Sequence, residues 1–178
     1  MEERSGYRVG LGHDTHRFNP PAPGTVSLRL GGVDIPYDRT LRGHSDADVL
    51  LHAVTDALLG AAALGDIGDH FPDTDESNRG RDSAEMLALA AGLLRSRGWS
   101  IVNLDTIIFA EAPKLGAHKR AIAERIASVL DLPAERVSVK AKTGEKIGII
   151  GRGEAISAEA IVLIEAIAIT TGINFGNE

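Results

Sequence analysis

The sequence predicts an α/β protein (α+β in strict usage): one compact domain with a mixed sheet packed by helices. Three observations carry that expectation. The chain has 178 residues, a length that one hydrophobic core of roughly 100–200 residues organises. Its 43% hydrophobic residues are enough for a sizeable core, although aromatics are only 4%, so packing must rest on Ala, Leu, Ile and Val. Ala/Leu-rich and β-branched segments interleave along the whole chain, without repeat, linker or low-complexity stretch.

In order, Arg8–Leu11 reads as a short strand running into Gly12-His13-Asp14-Thr15-His16, and the proline-rich stretch Asn19–Gly24 breaks regular structure. Ser27–Leu30 and Val33–Ile35 form a hairpin through Gly31-Gly32. Ser45 opens the strongest helix, which extends to about Leu64, with Asp46 and Asp48 suiting its positive end. A polar loop, Gly65–Asp75, follows. The next helix runs from about Ser83 to Arg97, with Asp82 as cap, Glu85 placed for a capping box, and Gly98 as stop. Ser100–Ala110 is a strand and Ala117–Leu130 an amphipathic helix. Arg136–Ala141 and Ala155–Ile169 supply the last strands.

Composition narrows the chemistry. The absence of cysteine removes disulfides, thiolate metal sites and cysteine nucleophiles. A formal charge of −6 argues against nucleic-acid binding, which needs a basic face to displace counterions, so phosphorylated ligands would be held by a few placed cations, metals or amides. No stretch approaches the roughly 20 apolar residues of a membrane span, and Met1–Gly6 carries no apolar signal region, which points to a cytoplasmic protein.

Asp14-Thr15-His16 is the first chemical lead. On an extended chain, residues two apart project to one face, so this carboxylate and imidazole could share a cation. A third donor would complete the three-ligand set of an open catalytic zinc site. Asp48, His52 and Asp56 line one helical face at four-residue spacing, with the aspartates placed to orient His52; spacing permits His52 to meet the pair without deciding it. His44-Ser45 stands before a helix N-terminus, where amides suit phosphate and a serine also serves as cap. Gly144–Glu154 is a glycine-punctuated loop without the order of a Walker motif. In it Glu145 suits a hard cation, and Lys142, Lys146 and Arg152 could face phosphate, although surface solvation is the ordinary state of each. Asp73-Thr74-Asp75 either binds hydroxyls or is a polar loop.

Taken together, these segments resemble the 2-C-methyl-D-erythritol 2,4-cyclodiphosphate synthase family. The resemblance rests on Gly12–Phe18, Gly43–Val49, His52–Gly60, Gly65–Gly68, Phe71–Asp75, Ala112–Lys114 and Gly151–Glu154, seven segments in order covering about residues 8–168 of the single domain 1–178. It implies a homotrimer with active sites between neighbours, and zinc on Asp14, His16 and His52. Magnesium or manganese on Glu145 would bridge the substrate diphosphate. The implied reaction closes a cyclic diphosphate on a cytidine diphosphate ester of phosphorylated methylerythritol and expels CMP.

Carried over by position, His44 and Thr143 stabilise the transition state and Ser45 holds phosphate. Asp66, Gly68, Phe71, Asp73, Thr74 and Asp75 face the methylerythritol. Ala110, Ala112, Pro113, Lys114, Leu115 and Gly116 face cytidine together with Thr143 and its neighbours Lys142 and Gly144, and Ile149 and Arg152 are further substrate positions. Lys142-Thr143-Gly144 replaces a run of three threonines, and Ile149 and His13 stand where aromatics are frequent. His13 should face away from Asp14, because strand neighbours alternate. Competing readings are a zinc hydrolase of nucleotide diphosphate esters, and a non-catalytic trimer whose central cavity holds an isoprenoid diphosphate through Arg152 and Glu154.

Overall fold

The computed structural model describes residues 6–167. Strand β1 (Tyr7–Arg17) is followed by the hairpin β2 (Val26–Leu30) and β3 (Val33–Tyr37), helix α1 (Val49–Ala61) and the short helix α2 (Ile67–His70). Then come α3 (Ser83–Ser96), β4 (Trp99–Phe109), α4 (Lys119–Leu130), β5 (Val137–Lys142), the four-residue α5 (Gly148–Gly151) and β6 (Ala155–Ala166). The main sheet has the order β1-β6-β4-β5, antiparallel except for the β4–β5 pair, which α4 connects as a crossover. It is therefore mixed, as the sequence predicts.

The core lies between one sheet face and the helices. Ten residues of α1 are buried, because it rests on β1 and β6 on one side and on α3 on the other. A helix apolar nearly all round has no other stable place in a protein of this size.

Several boundaries differ from the sequence expectation. Helix α1 starts at Val49 with Asp48 as cap, not at Ser45, since Ala47 is left-handed (φ 59°) and breaks the helical path. Its apolar run continues to Leu64, but the helix stops at Ala61 because Ala63 is left-handed too (φ 56°). Helix α3 has Asp82 as cap, bonded to the Ala84 amide, but Glu85 does not reach back; the reciprocal box belongs to Asp66 and Asp69 on α2. Strand β1 is longer than Arg8–Leu11 because its full length pairs with β6. The C-terminal strand ends at Ala166, and Ala168 and Ile169 lie outside the described residues. The hairpin stands, with Gly31 and Gly32 at φ 62° and 72°, where both central residues of a tight turn need positive φ.

Candidate metal centre and its cleft

Two glycines decide how closely α1 lies on β1. A Cβ on Gly12 would sit 1.9 Å from the Ala53 carbonyl oxygen, and one on Gly10 1.9 Å from that of Ala57. The bare strand lets the helix backbone rest directly on it. Asp14 and His16 follow on the same inward face of β1, and His52, beside Ala53, meets them.

His16 Nε2 lies 2.9 Å and His52 Nδ1 3.0 Å from Asp14 Oδ2, and the two nitrogens are 3.2 Å apart. A tetrahedral ion with bonds of roughly 2.0–2.2 Å spaces its ligand atoms by about 3.3 Å, so this triangle fits the face of such a site and leaves one position open. Among the described residues it is the one cluster of acidic and histidine side chains arranged to hold a metal. The outer bonds fit as well: His16 Nδ1 donates to the Arg42 carbonyl at 2.7 Å, leaving Nε2 as the ligand atom.

Burial resists ionisation of Asp14, but hydrogen bonds and charge from His16 and His52 outweigh it and hold the carboxyl far below the usual carboxylate range. Burial likewise pulls the His16 imidazole down, yet its hydrogen bond to Asp14, the Asp14 charge and the Arg42 carbonyl push it above its ordinary value.

The aspartates flanking His52 in sequence do not orient it. Asp48 is fully buried and accepts from the Gly31, Gly32 and Leu51 amides at 2.8, 2.6 and 3.1 Å. This carboxylate caps the positive end of α1 through the Leu51 amide. Asp56 accepts from the Ile67 amide instead. His52 Nε2 is met by Ser45 Oγ at 3.0 Å and Ser83 Oγ at 2.9 Å. The role of Ser83 is not legible in sequence, where it is only the first residue of a helix beyond a polar loop.

A cleft of about 470 Å³ opens beside the triad, with His16, His44, Ser45, His52, Gly68, Phe71 and Asp73 on its walls, together with Ile67, Pro72, Asn78 and Met86. His44 Nε2 is buried without a hydrogen-bond partner, a donor or acceptor held in reserve. Asp66 caps α2 and Asp75 caps the turn Glu76–Asn78, each through its carboxylate, and neither Thr74 nor Asp75 lines this cleft.

The remaining predicted residues gather elsewhere. The Ala110 amide bonds the Lys142 carbonyl at 2.9 Å and the Gly144 amide bonds Glu111 at 3.2 Å, which brings Ala110–Gly116 beside Lys142–Glu145. There Thr143 Oγ1 donates to Glu145 Oε1 at 2.7 Å, Lys114 is exposed and Leu115 is buried. This group follows β5, and the triad sits on β1, the opposite edge of the sheet but the same end. Three strand spacings, about 14 Å, separate those edges. One chain therefore does not bring the two groups together.

Arg152 and Ile149 line another cleft, of about 690 Å³, with Arg17, Phe18 and Arg39. The Arg152 guanidinium is paired with Glu154 at 2.5 Å. His13 faces away from the triad, 3.0 Å from Ser157 Oγ. No helix among the described residues is long and apolar enough to cross a membrane.

The chain is 54% identical over 158 residues to 2-C-methyl-D-erythritol 2,4-cyclodiphosphate synthase from Burkholderia mallei, covering 89% of this chain and 95% of that one. Burkholderia pseudomallei has a synthase of the same name with equal identity and coverage. Among solved structures, the bifunctional IspDF from Campylobacter jejuni superposes with a TM-score of 0.86 at 40% identity, covering 92% of this chain and 43% of that longer one. IspF from Plasmodium falciparum, in a CDP complex, superposes at 0.79 with 34% identity, covering 92% of this chain and 98% of that one. The profile of the YgbB family matches residues 7–165, and with relatives this similar over nearly its whole length the chain belongs to that family, alongside the 2-C-methyl-D-erythritol 2,4-cyclodiphosphate synthases.

Proposed function

We propose that this protein is a cyclodiphosphate synthase of isoprenoid precursor biosynthesis, a phosphorus–oxygen lyase. It converts 4-diphosphocytidyl-2-C-methyl-D-erythritol 2-phosphate to 2-C-methyl-D-erythritol 2,4-cyclodiphosphate and CMP. The observation that carries this reading is the triangle of Asp14, His16 and His52 in a chain 54% identical to synthases of that name. An oxygen of the substrate 2-phosphate attacks the β-phosphorus, and the bond from that phosphorus to the CMP oxygen breaks. The nucleophile is already an anion, so no strong protein base is needed, and catalysis reduces to positioning and charge neutralisation.

Asp14, His16 and His52 would hold a zinc ion, which would supply Lewis acidity to a phosphate oxygen. His44, with its unpartnered Nε2, and Ser45 meet phosphate oxygens from the cleft wall. Asp66, Gly68 and Phe71–Asp75 receive the methylerythritol. Ala110–Gly116 and Lys142–Gly144 receive cytidine, Thr143 steadies the reacting phosphates, and Glu145 would hold magnesium or manganese, which would neutralise diphosphate charge.

Because the triad and Glu145 lie on opposite edges of one sheet, a complete site requires two chains. The uncovered sheet face supports a homotrimer: Tyr7, Val9, Leu11 and Ile161 stand on it at 49–68% exposure. Such a patch is costly to leave in water.

The test is phosphorus NMR of products from the cytidylylated substrate, with and without chelator. A cyclic diphosphate formed one-for-one with CMP, and lost on chelation, supports the synthase. Open phosphates would identify a hydrolase instead.

A further inference from the structure

We propose that Ser83, anchored by Asp46, is a positioning residue that accepts the His52 Nε2 hydrogen, holds Nδ1 toward the metal position and thereby raises the metal affinity of the triad; this rests on the metal reading above. Ser83 opens α3 and is fully buried. Its hydroxyl oxygen lies 2.9 Å from His52 Nε2 and 2.5 Å from Asp46 Oδ1. Its amide also donates to Asp46 Oδ2 at 3.1 Å.

A serine hydroxyl has one hydrogen. An ionised carboxylate has none, so the Ser83–Asp46 contact uses the Ser83 hydrogen. Asp46 is set up as an acceptor on both oxygens: the Asp48 amide donates to Oδ1 at 3.1 Å, and the Arg29 guanidinium stands 3.9 Å from Oδ2. With its hydrogen committed, the Ser83 oxygen can only accept from His52. Without a metal the ionised Asp14 oxygen, 3.0 Å from Nδ1, competes for the ring hydrogen; with a metal on Nδ1 that hydrogen sits on Nε2, and Ser83 accepts it.

A neutral imidazole has one N–H and one lone pair, so with the hydrogen on Nε2 the lone pair falls on Nδ1. That is the nitrogen facing Asp14 and His16. The Arg42 carbonyl does the converse for His16, taking the hydrogen of Nδ1 and leaving Nε2 as donor atom. With a metal bound, the two rings would stand in opposite tautomers, Nε2–H on His52 and Nδ1–H on His16.

Ser45 cannot replace Ser83 in this role, although its Oγ is 3.0 Å from the same nitrogen. It accepts from the Ala47 amide at 3.3 Å, and no carboxylate claims its hydrogen, so it can turn to donate or accept. Its hydrogen stays available to a ligand in the cleft.

The experiment pairs zinc affinity, by competition with a chromophoric chelator, with NMR of the His52 Nε2–H in the zinc-loaded protein. Wild type should show that hydrogen bonded and slow to exchange with solvent. Ser83→Ala should speed the exchange and weaken zinc binding by about 10–100-fold, the usual range for loss of an outer-shell partner. Asp46→Ala, which frees the Ser83 hydrogen to point at Nε2, should change both readouts in the same direction. Ser83→Thr, which keeps the hydroxyl, should restore both readouts.

Should Ser83→Ala not fold, Asp46→Ala and the wild-type Nε2–H still decide. A wild-type Nε2–H that exchanges freely in the zinc-loaded protein, or full zinc affinity in Ser83→Ala, would overturn the assignment. Wild-type protein that takes up no zinc would end the metal reading and this inference with it, whereas tight zinc in both wild type and Ser83→Ala would end this inference alone.

Discussion

At the residue scale, Asp14, His16 and His52 form one electrostatic unit whose behaviour without metal follows from two opposed shifts. Asp14 is held below its ordinary 3.8, so its contribution to stability is present above that value and lost as pH falls toward the folded-state value. His16 is raised above its ordinary 6.5, so its contribution is full below 6.5 and lost as pH rises through the folded-state value. The metal-free protein should therefore gain most from this cluster between 3.8 and 6.5. Urea unfolding of wild type and Asp14→Asn at mildly acid and alkaline pH checks this: the gap between them should narrow on the alkaline side. His52→Ala should abolish tight zinc uptake and turnover together; full zinc occupancy would remove His52 from the ligand set. Asp48 offers a test independent of the metal. Both its oxygens accept amides, so Asp48→Asn sets an NH₂ against a donor and should cost about 1–3 kcal/mol in chemical denaturation.

At the element scale, the site depends on the contact between α1 and β1. Gly12→Ala would drive a methyl into the Ala53 carbonyl, so the helix must move away. Strain of this kind typically costs about 1–3 kcal/mol. Because His52 travels with the helix, zinc affinity should fall as well, and calorimetry with metal titration reads both. Stability lost with affinity intact would mean that the triad does not depend on this contact. The sequence marks Gly12 only as part of a motif. The reason for a glycine there, a helix backbone laid on a strand, belongs to the packing.

At the scale of the whole molecule, the two groups of candidate residues lie on opposite sheet edges, so the proposed function requires assembly. Mixing tests this directly. His52→Ala and Glu145→Gln should each be nearly inactive, yet co-assembled from the two chains they should regain part of the activity, because some junctions then receive intact halves from both. No recovery in mixed assemblies would confine each site to one chain. A charge on the exposed sheet face, as in Leu11→Asp, should yield smaller species in sedimentation and lose turnover with them.

Much of this protein was legible in the order of its residues. The alternation of strand and helix patterns, the glycine turn at Gly31-Gly32 and the Asp-x-His pair all follow from local rules of backbone geometry and side-chain direction. Local rules also placed Ser45 at a helix start, which the left-handed Ala47 prevents, and made Asp48 and Asp56 partners of His52, which failed for a different reason. Hydrogen-bond donors and acceptors are satisfied by whatever the fold brings near, and here that was the β-hairpin amides for Asp48, the α2 amide for Asp56 and Ser83 for His52. Sequence spacing determined which side chains could share a face. Only the tertiary structure decided which of them met, because contacts across 31 to 38 residues depend on how closely a helix can lie on a strand.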